Sequence, residues 1–133
     1  MKIQTITKVF LSLTGIAFLN IAVQAILNPQ SIMDLVSVQL DNISARNSIR
    51  AYYGGVNLAF AIFLLYGAFK MQREALTLVF LYCSGFVAGR LYSILTEGKP
   101  SAFILNWLVI ESVLAILSFL LLLKAKRRLS PLA

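Results

Sequence analysis

Histidine is absent from this 133-residue chain, cysteine occurs once, and only five residues are acidic. Without histidine and with a single thiol, several chemistries are excluded by counting. These are a His-ligated haem, a zinc site of the Cys/His type, a Ser-His-Asp triad and a Cys-x-x-Cys redox pair. No metal is expected, and the sequence points to no particular cofactor. Charge is also scarce. Charged residues make up 13% of the chain, against roughly 25% in an ordinary globular domain. Hydrophobic residues reach 59% and the mean hydropathy is +0.85. Such a composition is that of a membrane protein.

Four stretches run with little or no charge for long enough to cross a bilayer, which takes roughly 20 apolar residues in helix. They lie at about 9–27, 47–69, 75–95 and 102–123. Backbone polar groups in hydrocarbon must satisfy one another, and the alternation of a β-barrel is missing, so each stretch reads as an α-helix. The expected fold is all-α: one antiparallel bundle of four transmembrane helices, a single domain over residues 1–133. The first stretch also has features of a secretory signal, with Lys2 and Lys8 ahead of an apolar run and Val23-Gln24-Ala25 as an acceptable cleavage site. We read it as a retained helix.

Basic residues sort the helix ends by side. Lys2 and Lys8 precede the first helix, Lys70 and Arg73 separate the second from the third, and Lys124, Lys126, Arg127 and Arg128 follow the fourth. The opposite side sets Arg46 and Lys99 against Asp34, Asp41 and Glu97. The positive-inside bias then places both termini in the cytoplasm, and the net charge of +7 requires no nucleic-acid partner.

Two of the connections are short. Residues 70–74 allow only an antiparallel hairpin, and Gly98 and Pro100 punctuate the turn at 96–101. The outer connection between the first two helices, residues 28–47, is long for a compact protein. Pro29 ends the first helix there. Ser31 and Asp34 have capping-box spacing, and Ile32, Leu35, Val36, Leu40 and Ile43 approximate helical periodicity. Residues 36–41 also alternate, so a short interfacial helix and an extended piece both fit.

Polar residues inside the spans carry the functional information, because an ionised group at the centre of a spanning helix costs roughly 2.5–3.5 kcal/mol on insertion scales. Glu111 lies roughly 13 Å below the outer boundary and Arg90 about 9 Å below it, at 1.5 Å per residue. Side chains tilt toward the N-terminus of their helix. Arg90 on the outward-running third helix therefore tilts deeper and Glu111 on the inward-running fourth tilts up, so the two are expected to pair. On the second helix Arg50, Tyr53, Gly54, Asn57 and Ala61 share a face. Asn20 and Gln24 make a polar stripe on the first, and Asn106 adds a polar group to the fourth. These positions occupy the outer half, which suggests a polar pocket open to the outside.

Several residues read as packing. Gly85-x-x-x-Gly89 and Gly54-Gly55 offer close helix approach, Cys83 is a small apolar filler, and Tyr52, Tyr92 and Trp107 form an aromatic belt.

Arg50-Ala51-Tyr52-Tyr53-Gly54-Gly55, Gly89-Arg90-Leu91, Gly98-Lys99-Pro100-Ser101 and Glu111 together resemble a group of small bacterial four-helix membrane proteins without a known function, distantly similar to the DoxX-like proteins. The resemblance covers residues 11–123. It implies that Arg50, Tyr53, Arg90 and Glu111 are recurring polar positions and that the location is the bacterial inner membrane. Some DoxX-like relatives are linked to quinone-dependent sulfur oxidation, for which one cysteine and no histidine give no independent support.

The expected function is binding of a lipid-like or small anionic ligand, with Arg50, Tyr53, Asn57, Arg90 and Glu111 as ligand-binding residues. An alternative is a membrane enzyme on an amphiphilic substrate, with Glu111 as the catalytic proton carrier. A third reading is a structural or accessory subunit, or a homo-oligomer, in which Arg90 and Glu111 only staple two helices. Small multidrug exporters also have four helices and a buried glutamate, but this first helix has no carboxylate and nearby arginines repel cationic drugs. Membrane lipid is a partner in every case.

Overall fold

The computed structural model describes residues 2–127. It is all-helical, with no strand among the described residues. The elements are α1 (Ile3–Leu27), α2 (Pro29–Asp34), α3 (Ile43–Ile49), a π-helical segment (Arg50–Val56), α4 (Asn57–Lys70), α5 (Gln72–Glu97) and α6 (Ala102–Arg127). The third, π-helical and fourth pieces run on as one helix, Ile43–Lys70. Four helices are therefore long and apolar enough to cross a membrane, and the chain is a multi-pass membrane protein. At 1.5 Å per residue each exceeds the roughly 30 Å hydrocarbon core. That excess explains why the helices outrun the expected limits: their polar ends continue into the headgroup region, where hydropathy no longer marks them. Leu13, Ile62, Leu81 and Val109 are exposed, as lipid-facing side chains are.

The described chain divides into two compact units, residues 8–70 and residues 2–7 with 71–127. In the first, α1 runs antiparallel to the Ile43–Lys70 helix. At one end the Lys8 ammonium lies 4.1 Å from the centre of the Phe69 ring, and in the middle Phe18 meets Phe60 edge to face. A β-carbon at Gly15 would come 3.0 Å from Leu65 Cγ, so the glycine sets a close helix approach. At the other end Gly54 is more demanding. Its β-carbon would lie 2.6 Å from Ile26 Cγ1, closer than two carbons can stand.

The connection between α1 and α3 is folded in its own right. Pro29 occupies the first turn of α2, where its missing N–H costs nothing. Ile32, Met33 and Leu40 pack with Ala25 of α1 into a buried cluster, joined by Ala45, Ile49 and Tyr53. A short helix covers Pro29–Asp34 only, and a turn with Ser37 at φ 58 follows before irregular backbone leads to Asn42. The expected Ser31/Asp34 capping box is not formed. Ser31 Oγ donates to the Asn28 carbonyl, and Asp34 accepts from Gln30. The side-chain cap belongs instead to Asn42, whose Oδ1 accepts from the Ala45 N–H at 2.8 Å at the start of α3.

In the second unit α5 and α6 form an antiparallel hairpin. Gly98 closes α5 at φ +99, a backbone that side chains with a β-carbon rarely adopt. Ala75, Leu76, Val79 and Cys83 of α5 and Ala115, Ser118 and Leu121 of α6 are buried. The Phe80 and Phe119 rings lie 5.4 Å apart, more than two helical turns from the polar pair. Gln72 Nε2 donates to the Gln4 carbonyl at 3.1 Å and holds the N-terminal residues. Of the basic tail, Arg128 lies outside the described residues.

Candidate functional site

Arg90 and Glu111 meet as expected. Arg90 Nε donates to Glu111 Oε2 at 2.6 Å and Arg90 Nη2 to Oε1 at 2.8 Å, a two-bond pairing that occupies both carboxylate oxygens. Such parallel charge-assisted bonds fix the guanidinium in plane with the carboxylate. The hairpin does the positioning. The turn around Gly98 sets the two helices antiparallel, and the side-chain tilt of each helix carries the two groups to one level. The Arg90 guanidinium also stands 5.9 Å from the centre of the Phe86 ring, one helical turn away.

The partners are unequally covered. The Glu111 side chain is 7% exposed and the Arg90 side chain 21%. The carboxylate is thus the more enclosed partner of the pair. Among the described residues there is no group of three or more metal-ligating acidic or sulfur side chains.

The other expected site residues, Arg50, Tyr53 and Asn57, lie in the 8–70 unit. Arg50 is exposed, and its Nε donates to the carbonyl of Ile26 at 3.0 Å. That carbonyl belongs to the last turn of α1, where backbone acceptors have no helical partner, and a cation there also complements the helix dipole. Asn57 is buried and follows the π-helical segment directly. Its backbone N–H donates to Gly54 O, whereas a regular α-turn would take it to Tyr53. The Asn57 side-chain amide supplies that donor, reaching the Tyr53 carbonyl at 2.9 Å. Tyr53 is half-buried against the Ala25 cluster. Asn20, Gln24 and Asn106 are exposed.

Two features lay beyond sequence reasoning. The π-helical segment has no signature apart from its paired glycines. The second is an open apolar groove of about 500 Å³ along the hairpin, lined among others by Phe80, Ser84, Val87, Ser112, Ile116 and Phe119. Arg90 and Glu111 are not among its lining residues. One packing expectation is corrected. Among the described residues nothing stands within 4 Å of where β-carbons at Gly85, Gly89 or Gly55 would lie, so the Gly85/Gly89 face receives no close helix approach. Cys83 is a free, buried thiol, as expected of a small filler.

No functionally curated protein and no solved structure matches this chain. A family model described as a domain of unknown function does match, over residues 6–122. With four apolar helices, a buried Arg90–Glu111 pair and that match over most of its length, the chain belongs to the DUF4345 family.

Proposed function

We propose that this is a bacterial inner-membrane protein, with both termini cytoplasmic, whose Arg90–Glu111 pair receives the anionic or strongly polar head of a lipid-like ligand. The observation that carries the reading is the unequal exposure of a two-bond pair within a membrane span: the cation is the more exposed partner and the carboxylate is enclosed. Ionisable groups at such depth are costly and mark functional positions by default. A buried ion pair also adds little stability over a well-packed apolar pair, so stapling two helices is a weak reason to have one. The orientation rests on Lys2, Lys8, Lys70 and Arg73 collecting at one side. The DoxX-like resemblance belongs to this proposal and supplies no reaction. The proposal rests on Arg90 and Glu111; Arg50, Tyr53 and Asn57 remain candidate ligand-binding residues, with the Arg50 Nε and the Asn57 amide each also donating to a backbone carbonyl.

A second reading keeps the pair as a helix staple, favoured by the closure of both carboxylate oxygens on one guanidinium. Native mass spectrometry of the purified protein separates the two. An amphiphile retained by the wild type and absent from a folded Arg90→Met variant supports binding. A wild type that carries none, beside an Arg90→Met variant that is only less stable, supports the staple.

A further inference from the structure

The turn at residues 35–38 projects three large apolar side chains outward: Leu35 is 50% exposed, Val36 39% and Val38 46%. In water this is an unfavourable arrangement, and much of the backbone beneath it is bonded internally. The Val36 and Val38 N–H groups donate to the Met33 carbonyl and the Ser37 N–H to the Asp34 carbonyl. Gln30 then clamps the far side, donating from Nε2 to the Val38 carbonyl at 3.0 Å and accepting from the Leu40 N–H at 2.9 Å. Arg46 Nη1 donates to the Leu40 carbonyl at 2.9 Å. A loop in water can leave such groups to solvent; a loop in an apolar medium must pair them internally.

The level of the turn fits the same conclusion. Ile32, Met33 and Leu40 pack on Ala25 of α1. Ala25 stands about 26 Å along the helix from Lys8 at 1.5 Å per residue, and the hydrocarbon core is roughly 30 Å thick. Lys8, lying over Phe69, marks the opposite end of the span. The connection therefore folds back to the edge of the apolar slab. Exposed Leu27 and Ile43 at the two flanking helix ends continue the apolar surface. Asp34 and Asp41 bracket the turn, are exposed, and limit its depth to the boundary between headgroups and acyl chains.

From these observations we infer that the Leu35–Val38 turn is a membrane-surface wedge, seated among the lipids of the leaflet where α1 ends. Its occupant is bilayer lipid. The test places tryptophan at position 36 in a Trp107→Phe background, in bilayer nanodiscs of phosphatidylcholine with or without bromine near the top of the acyl chains. Val36→Trp emission is expected to be blue-shifted and to fall by half or more with brominated lipid. Water-like emission indifferent to bromine overturns the inference. So does blue-shifted emission indifferent to bromine, which means that protein covers the turn. Leu35→Trp repeats the measurement if Val36→Trp does not fold.

Discussion

The guanidinium of Arg50, 24 residues along the chain from Ile26, donates from Nε to the Ile26 carbonyl at 3.0 Å and so closes the open end of α1. An acceptor there would otherwise lie at the helix end without a helical partner. Arg50→Met removes the donor and keeps much of the side-chain length. We expect a loss of about 1 kcal/mol in stability. Hydrogen exchange in the last turn of α1 and in α2 should quicken, and exchange at the Lys8 end should not change.

Gly54 is fixed by contact. Gly54→Ala forces its new carbon against Ile26 Cγ1 and should cost about 1–3 kcal/mol as an overpacking change. Thermal unfolding in detergent measures it. Ile26→Ala introduced in the same chain should restore part of the loss, and Gly55→Ala, which meets open space, should lose nothing by contact.

Gln30 is the hub of the connection between α1 and α3, bonded to Asp34, Val38 and Leu40. Gln30→Leu keeps the bulk and removes every one of these bonds. Limited proteolysis should then cut between residues 35 and 42 much faster than in the wild type, with the four spans intact by circular dichroism. Unchanged cleavage would show that the apolar cluster alone holds the connection.

Glu111→Gln leaves the Arg90 charge facing a neutral amide. Breaking a buried pair from one side costs about 3–5 kcal/mol, and the partial exposure of Arg90 puts the expectation at or below the lower end. Removing both charges, as Arg90→Met with Glu111→Leu, should recover most of the loss in a double-mutant cycle on unfolding. Additive losses would mean that the two groups act separately.

Sequence reasoning reached as far as forces that act along one helix or between chain neighbours. Hydropathy located the spans, and depth with side-chain tilt paired Arg90 with Glu111, because a short turn leaves α5 and α6 only one register. The roles of Arg50 and Asn57 were not legible. Arg50 bonds to a carbonyl far along the chain, and the need for the Asn57 amide arises only where the backbone departs from α-helical bonding in a π-segment. The Gly85/Gly89 spacing was misleading for a related reason. A small-residue stripe permits close approach, but a neighbouring surface must be there to use it, and nothing in the spacing specifies one.

The most direct test of the Arg90–Glu111 account exchanges the two charges. Arg90→Glu and Glu111→Arg are each expected to destabilise the protein severely, and together to restore much of its stability. The amphiphile expected with the wild type should be absent from the exchanged protein, because the accessible position then carries a carboxylate. Two single reversals without effect on stability would contradict the pairing, and full ligand retention after the exchange would contradict Arg90 as its receptor.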